Sequence, residues 1–417
     1  WKATYENGSW IDIEQLDKNT LKITATPSRT NGIRKAQVTI TSGYAEEVID
    51  LTQLGSNVSF GKLDQNSLIY VISPNGKYVG GVAVTLENSV YTYLPYIIDT
   101  QTGERTEFTT LDYNVEAGAV SDTGVLVLVL FNGSAKDFNQ QKELVDITLP
   151  ANCKDAIVTG ISSDGDIFVG YVINNDDRVH YPVRWVNNVP SLLDWPETDI
   201  YGNKVVQGTM ARGCSADGTV IYGSRWDDFT AVYWKDGGGW QYVGGDDAIE
   251  MHQIIVSDGS GGYLQKTVYD RTYLMAETSN ISASGRYIAV TYRKVTAVNN
   301  VETSTPYPAI YDIETDTFTI LTDLPGGFSS GTARTASNIG QLAYACQKEQ
   351  TYIGYVYDLN SGTTRAMPAF TESEYGFVLT SEESYIMRFA ADGEAILGGT
   401  YIYSGSALDF WYMAVLE

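Results

Sequence analysis

Three arginines are the side chains that the sequence places best for binding an anion. Arg212 and Arg334 each lie three residues before the serine of a recurring Ser-x-Asp/Asn-Gly motif, and Arg388 lies close to the same level of another copy. Guanidinium groups that converge on one point can hold a carboxylate or a sulfate. The alternative is that each arginine pairs with an acidic neighbour, which the 51 Asp and Glu residues of the chain favour.

Four of the tryptophans fall into two groups. Trp185 and Trp234 occupy equivalent places in predicted third strands, so packing between neighbouring sheets accounts for them. Trp195 and Trp226 fall in predicted loops, where an indole ring can stack on the apolar face of a sugar. The loop tryptophans are therefore candidate sugar contacts.

Two pairs of adjacent carboxylates occupy equivalent predicted loops, Asp176 with Asp177 and Asp227 with Asp228. Such pairs could bind Ca²⁺, but the regular spacing of oxygen ligands in a calcium loop is absent. Solvated acidic loops are the simpler interpretation, so the sequence assigns no cofactor. His180 ends the first loop and is included among the candidate ligand-binding residues.

The residue inventory argues against most enzyme classes. His180 and His252 are the only histidines of the sequence, which disfavours multi-histidine metal sites and the lyases that depend on them. A Gly-x-Ser-x-Gly segment, expected for a Ser–His–Asp hydrolase, is absent. The three cysteines show neither a disulfide framework nor metal-ligand spacing. A pair of glycosidase carboxylates cannot be recognised from sequence, so catalysis stays open, with a preference against it.

The charge of the chain restricts its partners. A formal net charge of −24 disfavours nucleic acid, whose phosphates require a basic surface, and it equally disfavours an anionic bilayer. No apolar run in this chain reaches the length of a transmembrane helix. The remaining partner classes are a glycan and another protein.

The recurring motif predicts the elements that position these residues. Its glycines appear at intervals of 41 to 67 residues, at positions 76, 124, 165, 218, 285, 340 and 393. Glycine supplies the positive φ of a tight hairpin, while the Ser and the Asp or Asn bond to the turn backbone. Repeats of this period predict the blades of a β-propeller. In such a fold the motif turns share one face, and the loops with the candidate residues share the other.

Strand counting predicts how the ring of blades closes. The last blade, near residues 409–416, lacks a fourth strand, whereas residues 57–63 provide a spare strand before the first blade. Pairing the two removes both open edges. In the second blade only residues 142–149 remain for strands before the next blade begins, so this blade has either three or four strands. A hairpin of residues 252–257 and 263–268 is predicted within an insertion at 244–274.

Several segments resemble known families. Ser9-Trp10-Ile11, the run Arg-Lys-Ala-Gln-Val-Thr-Ile at 34–40 and the run Leu-Thr-Gln-Leu-Gly at 51–55 resemble the BACON domain. That family implies an immunoglobulin-like β-sandwich of envelope and secreted bacterial proteins, often beside carbohydrate-active modules. Its opening strands are not found, so the module is interpreted as truncated. The run Gly-Ile-Ser-Ser-Asp-Gly at 160–165 resembles extracellular HAF-type repeats, and the turn resembles those of TolB-like propellers.

The expected fold is therefore all-β, with a partial immunoglobulin-like β-sandwich at residues 1–55 and a seven-bladed β-propeller at 56–417. The expected function is non-catalytic binding by a secreted or cell-surface protein, with a lipid anchor on a preceding segment as one form of attachment. The BACON resemblance makes a glycan the favoured ligand and a protein the second. The alternatives are a carbohydrate-active hydrolase or lyase at the channel mouth, and an assembly scaffold. The sequence determines neither the ligand nor the oligomeric state.

Overall fold

The computed structural model describes the chain except for residues 1, 7–10, 26–33, 43–44, 54–57, 64–69, 88–89, 131–134, 140, 236–237, 246–248, 275–280, 349–350, 378, 380, 382, 391–392, 404–406 and 416–417. The described residues form β-strands, one α-helix, α1 (Met367–Tyr375), and a short 3₁₀ turn at Pro325–Gly327. The predicted all-β class is confirmed. No helix in these residues is long and apolar enough to span a membrane.

The first five strands enclose a small core of their own. One antiparallel sheet contains β1 (Lys2–Glu6), β4 (Arg34–Ser42) and β5 (Ala45–Gln53), and a second contains β2 (Ile11–Gln15) and β3 (Leu21–Ala25). Side chains of β4 alternate, so Ala36 and Val38 are buried while Lys35 and Gln37 are exposed. The buried pair packs with Ile11 of the second sheet, as in a β-sandwich. The predicted turn at 31–32 and residues 9, 10, 54 and 55 of the BACON resemblance lie outside the described residues.

Seven further antiparallel sheets follow along the described chain. Sheet 1 contains β7 (Val71–Ile72), β8 (Tyr78–Glu87), β9 (Val90–Asp99) and β10 (Arg105–Glu107); sheet 2 contains β11 (Val115–Val120), β12 (Leu126–Leu130), β13 (Ala135–Phe138) and β14 (Leu144–Asp146). Sheet 3 contains β15 (Cys153–Ile161), β16 (Ile167–Asn174), β17 (His180–Val186) and β18 (Val189–Leu192); sheet 4 contains β19 (Thr209–Cys214), β20 (Val220–Arg225), β21 (Ala231–Lys235) and β22 (Trp240–Tyr242).

The last three sheets include the predicted insertion. Sheet 5 contains β23 (Ile249–Ser257), β24 (Tyr263–Tyr273), β25 (Tyr287–Val298), β26 (Val301–Asp312) and β27 (Thr317–Ile320). Sheet 6 contains β28 (Thr332–Ala336), β29 (Gln341–Lys348), β30 (Thr351–Asp358) and β31 (Thr363–Ala366); sheet 7 contains β32 (Ser384–Ala390), β33 (Ala395–Tyr403) and β34 (Ala407–Val415). The predicted hairpin is formed by β23 and β24, and it extends sheet 5 because β24 pairs with β25.

Sheet 7 takes its fourth strand from a distant part of the chain. β6 (Val58–Lys62) pairs antiparallel with β34. Phe60 of this strand stacks on Phe377, with ring centroids 4.5 Å apart. The N–H of Leu63 donates to the carbonyl of Phe410 at 3.0 Å. This is the strand pairing that the sequence count predicts.

Buried side chains link each sheet to the next in a cycle. Separate apolar clusters join sheets 1 and 2, 2 and 3, 3 and 4, 4 and 5, 5 and 6, and 6 and 7. A seventh cluster joins Ile72 of sheet 1 to Leu397 of sheet 7. Trp185 and Trp234 are buried in two of these clusters, which confirms their predicted packing role.

The motif turns meet at one end of this cycle. Their glycines have φ between +69° and +86°. Each of the six motif serines accepts a bond from a following N–H, as Ser162 does from Ile167 at 3.0 Å. The turns also bond to one another, because Asp122 donates its N–H to the Ser163 carbonyl and Ser163 donates to the Ala216 carbonyl. The repeat therefore builds a hydrogen-bonded belt at this end.

Candidate functional site

Bulges in the inner strands determine the positions of the predicted arginines. The pairing of β19 with β20 skips Arg212, and the pairing of β28 with β29 skips Arg334. The pairing of β32 with β33 skips Met387, so Arg388 lies one residue beyond the equivalent position. A bulge adds one residue to a strand and re-aims its side chain. Arg212 and Arg334 are therefore structurally equivalent, whereas Arg388 is not.

Arg388 lines a cavity enclosed by the inner strands of most of the sheets. The same cavity reaches Pro74 and Ala283, the second residues of two motif turns. Arg388 thus lies toward the turn end of the channel, whereas the sequence predicts all three arginines at the opposite mouth. The difference follows from the repeat position, because Met387 occupies the bulge that Arg212 and Arg334 occupy in their own sheets, and Arg388 is the next residue.

Two other groups lining this cavity are weak acids. Burial raises the pKa of the Cys214 thiol to about 12. Burial also raises the pKa of the Tyr222 hydroxyl to about 12, although Arg388 and Arg212 act in the opposite direction. Both groups are therefore protonated at neutral pH, and Cys214 is not an activated nucleophile.

Arg334 is held between two aromatic rings. Its guanidinium carbon lies 4.8 Å from the ring centroid of Tyr385 and 5.4 Å from that of Tyr352, which are cation–π distances. Its Nε is buried and has no hydrogen-bond partner within the described ranges. Arg334 belongs to the junction of sheets 6 and 7, where these tyrosines lie.

An aromatic stack lies at the junction of sheets 3 and 4. His180 lies flat on Trp226, with ring centroids 4.2 Å apart and planes 7° from parallel. Tyr171 meets His180 edge-on at 5.5 Å. All three side chains are partly exposed. These three residues are called the aromatic platform below.

Two charged residues, Arg212 and Asp227, shift the pKa of His180 in the platform. Burial lowers the pKa of His180; the hydrogen bond to Gln207 raises it, Arg212 lowers it further, and Asp227 raises it. His180 Nδ1 lies 2.9 Å from the Gln207 carbonyl, which can only accept, so Nδ1 donates. The neutral ring therefore keeps Nε2 as an acceptor. Arg212 is itself oriented by Ser224, whose Oγ accepts from its Nε at 3.4 Å.

Gly208 positions the platform. The Gly208 carbonyl accepts from the N–H of Trp226 at 2.9 Å, and the preceding Gln207 carbonyl accepts from the N–H of His180 at 3.0 Å. Gly208 has φ of +84°, and a Cβ there would lie 2.1 Å from the His180 carbonyl oxygen. Only glycine permits this approach. Gly208, Gln207 and Tyr171 are not among the residues predicted from the sequence; the signal available for Gly208 is an isolated glycine before an inner strand.

The remaining predicted residues of the first acidic loop form a separate group. Asp177 accepts a hydrogen bond from the Tyr181 hydroxyl at 2.9 Å, and Trp195 meets the Tyr181 ring edge-on at 5.9 Å. Asp176 accepts from Asn152 at 2.6 Å. Tyr181 follows His180 in β17, and successive side chains of a strand point to opposite faces. This group therefore lies across sheet 3 from the platform.

The second acidic loop separates its two carboxylates. Asp227 is exposed, but the side chain of Asp228 is largely buried. Its Oδ2 lies 3.6 Å from Arg225 and 3.9 Å from Arg271. The prediction of a solvated loop is therefore wrong for Asp228. In the part of the chain that the structure describes, no group of three or more His, Cys, Asp or Glu side chains could hold a metal ion.

Comparisons with known proteins concern both parts of the chain. No curated protein matches it. A solved oligogalacturonate lyase in complex with manganese is 13% identical with a TM-score of 0.47, over 100% of this chain and 98% of the other. The oligogalacturonate lyase of Vibrio parahaemolyticus is 11% identical with a TM-score of 0.46, over 100% and 99%. A putative TolB from Agrobacterium tumefaciens is 12% identical with a TM-score of 0.36, over 66% and 87%. Residues 1–54 match the BACON family, described as a putative N-terminal binding domain, which confirms the resemblance predicted for that segment.

Proposed function

We propose that this chain is an envelope or secreted binding protein that recognises a glycan with an anionic group at the aromatic platform. The observation that carries the proposal is the parallel stack of His180 on Trp226, close enough to Arg212 for that cation to shift the pKa of His180. The match of residues 1–54 to a putative binding domain supports a binding role.

The chemistry of the platform suits a charged sugar. The apolar face of a sugar ring stacks on Trp226, as sugars do on indole rings. Because His180 covers one face of Trp226, its Nε2 accepts from a sugar hydroxyl at the edge of the stack, and the exposed carboxylate of Asp227 accepts from another hydroxyl. Arg212 binds the carboxylate or sulfate, because charge-assisted bonds to guanidinium are the strongest available here. A neutral glycan would stack on the platform but make no ionic contact with Arg212, so the negative charge of the glycan determines which glycans bind best.

We also propose that residues 56–417 are one domain, a seven-bladed propeller closed by residues 57–63. The cycle of apolar clusters, which returns from sheet 7 to sheet 1, supports seven blades around one axis. The pairing of β6 with β34 supports closure by a strand from the start of that domain. In this fold the platform lies between two neighbouring blades, on a rigid scaffold.

Binding without turnover is favoured over hydrolysis or elimination. Burial raises the pKa of the Asp137 carboxyl to about 6, as a general acid would require. Asp137 belongs to β13 of sheet 2, however, and not to the junction of sheets 3 and 4. Cys214 and Tyr222 are protonated in the axial cavity. These groups therefore give no support to a reacting centre at the platform.

A glycan array with neutral, uronic-acid and sulfated oligosaccharides tests this function. We expect anionic glycans to bind and the affinity to fall with salt. Trp226→Ala should weaken binding about fivefold, since lost stacking costs on the order of 1 kcal/mol. Arg212→Ala should cost on the order of 1 kcal/mol or more. Trp195→Ala is the matched control, because this loop tryptophan lies across sheet 3, and it should leave binding unchanged.

Three outcomes distinguish the alternatives. Turnover of any bound glycan would replace the binding function by a carbohydrate-active enzyme. Equal losses for Trp195→Ala and Trp226→Ala would move the site away from the platform. An array without hits would exclude a glycan as the ligand and leave a protein as the ligand class.

The protein-ligand alternative would use a different surface. The hairpins β23–β24 and β25–β26 share a small core of Ile254, Val256, Val268 and Val295. They also expose large apolar side chains, namely Met251, Ile255, Tyr263, Val298 and Val301. An assembly scaffold would bury such side chains. Ile255→Lys should then change the sedimentation of the assembly while leaving glycan binding intact.

A further inference from the structure

We infer that a chloride ion binds beneath the β20–β21 turn, held by Arg225, Arg271 and the hydroxyls of Thr209 and Thr230. The site lies in the interior of the protein, apart from the proposed glycan contacts. It rests on buried donor groups that the described residues leave without acceptors.

The side chains around this place are almost fully buried. Arg225 is 1% exposed, Arg271 is 8% exposed, and Thr209 and Thr230 are 0% exposed. Among the described residues no hydrogen-bond partner exists for the Nε and Nη1 of Arg225, for the Nε of Arg271, or for either threonine Oγ1. The Oδ2 of Asp228 is also without one. Buried polar groups are nearly always satisfied, so this concentration indicates a ligand.

The backbone brings these groups together. Thr209 is the direct cross-strand partner of Arg225, and the N–H of Arg225 donates to the Thr230 carbonyl at 3.0 Å. Residues opposite one another in an antiparallel ladder project their side chains to the same face. Arg271 joins from β24, since its Nη2 donates to the Asp228 carbonyl at 3.5 Å. Two guanidinium groups and two hydroxyls therefore adjoin the base of one turn.

Asp228 does not satisfy these donors. Its Oδ1 accepts from the N–H of Thr230 at 3.0 Å. Its Oδ2 lies 3.6 Å from Arg225 Nη1 and 3.9 Å from Arg271 Nε, which is beyond hydrogen-bonding distance. Three guanidinium N–H groups of Arg225 and Arg271 therefore stay without an acceptor among the described residues.

The guanidinium donors favour a halide over water. The unsatisfied atoms are three guanidinium nitrogens of Arg225 and Arg271, which only donate, the hydroxyls of Thr209 and Thr230, which donate and accept, and Oδ2 of Asp228, which only accepts. A water molecule accepts from two of these donors at most and must also place its own two hydrogens. A chloride ion only accepts.

The local charge also favours a monoanion. Two buried guanidinium groups face one buried carboxylate, and an uncompensated buried charge is strongly destabilising. Asp199 also acts on Arg225 from the loop after sheet 3. Asp199 is partly exposed, however, so solvent screens its charge, and its oxygens accept from the N–H groups of Tyr201 and Asn203 and from the amide of Asn203. A chloride supplies the missing negative charge and accepts from the remaining donors.

The ion has a structural consequence for the turn above it. Arg225 and Asp228 are the residues on either side of Trp226 and Asp227. An ion that fixes Arg225 and Arg271 therefore fixes the turn that presents Trp226. Chloride acts as a structural ligand, and any glycan bound at the platform requires the turn that it stabilises.

Thermal unfolding in chloride tests the site without any glycan. Sodium chloride is titrated against sodium gluconate at constant ionic strength, so that general screening does not change. A ligand that binds only the folded state raises Tm with a saturating dependence on its concentration. We expect that behaviour for the parent and its loss in Arg271→Gln. Arg286→Gln is the matched control, because Arg286 bonds Asp312 at 2.7 Å elsewhere in sheet 5, and it should retain the chloride response.

A second variant and a diffraction measurement cover the case in which Arg271→Gln does not fold. Thr230→Val removes one hydroxyl donor at similar volume and should raise the half-saturating chloride concentration about tenfold, the value of one hydrogen bond. Crystals grown in bromide should show an anomalous peak in contact with Arg225. Equal Tm values in chloride and gluconate, or a bromide-free site containing only ordered water, would overturn the inference. Neither result depends on the glycan array, so the two proposals fail separately.

Discussion

Replacing Phe60 by alanine should weaken the whole ring of sheets. Phe60 lies in β6, the strand that completes sheet 7, opposite Met413 in the ladder. Its ring stacks on Phe377 at 4.5 Å and lies 6.5 Å from the ring of Trp411. The substitution leaves the backbone pairing intact and removes only the side chain that fastens the strand to the core between sheets 6 and 7.

The expected magnitude follows from the partial burial of Phe60. A fully buried Phe→Ala change costs about 3–5 kcal/mol, and Phe60 is half-buried, so we expect about 2 kcal/mol. For a cooperative unit of about 360 residues, with an unfolding entropy of about 2.1 cal/mol/K per residue, this shifts Tm by about 3 °C. Deleting residues 57–63 removes five paired residues. At about 1 kcal/mol per hydrogen bond, that loss approaches the whole stability of a domain.

Urea unfolding followed by tryptophan fluorescence measures both changes. Phe60→Ala should lower the midpoint with an unchanged slope, and the deletion should abolish the single cooperative transition. Val48→Ala, an exposed position in β5, is the control and should leave this transition in place. If Phe60→Ala unfolds at the parent midpoint and the deleted protein still unfolds cooperatively, β6 does not close the ring.

Three further predictions address other parts of the molecule. The fragment from Ser56 onward should unfold in one cooperative transition without residues 1–55; failure to obtain soluble fragment would indicate a single integrated unit. Gly208→Ala should lower the stability by at least about 1–3 kcal/mol and weaken glycan binding, because the new Cβ would lie 2.1 Å from a carbonyl oxygen. Gly202→Ala is the control and should cost less, because Gly202 also has a positive φ but no atom lies within 4 Å of a Cβ there. The pKa of Asp137 is raised to about 6, so the folded state holds more protons than the unfolded state from about pH 4 to pH 6. Stability should therefore fall as pH rises through this window, and urea midpoints of Asp137→Asn should lack that fall and exceed those of the parent above pH 6.

The turn end of the fold was predictable because its interactions are local. A motif serine bonds an N–H four or five residues later, and its glycine needs a positive φ that few other residues adopt. Both requirements are visible in a short sequence. The strand at residues 57–63 was also predictable, since a closed ring leaves no unpaired edge.

The opposite end was only partly predictable, because its contacts are distant in sequence. Asp227 and Asp228 are adjacent and chemically identical, yet one is exposed and the other lies between Arg225 and Arg271. Arg271 belongs to the inserted hairpin, and nothing in the local sequence indicates that it contacts this turn. Arginine is rarely fully buried, so Arg225 is assigned to the surface until its partners are known.

The bulges explain why equivalent repeat positions can diverge in chemistry. The residue that the pairing skips is Gly118 in sheet 2, Thr159 in sheet 3 and Met387 in sheet 7, but arginine in sheets 4 and 6. Because a skipped residue makes no regular ladder contact, its side chain is free of the constraint that keeps the motif serines alike. Sheet 4 uses this freedom to direct Arg212 toward His180, and the adjacent Gly208 brings Trp226 to the same ring. The repeat thus supplies the scaffold, and the positions that leave its regular pairing supply the candidate site.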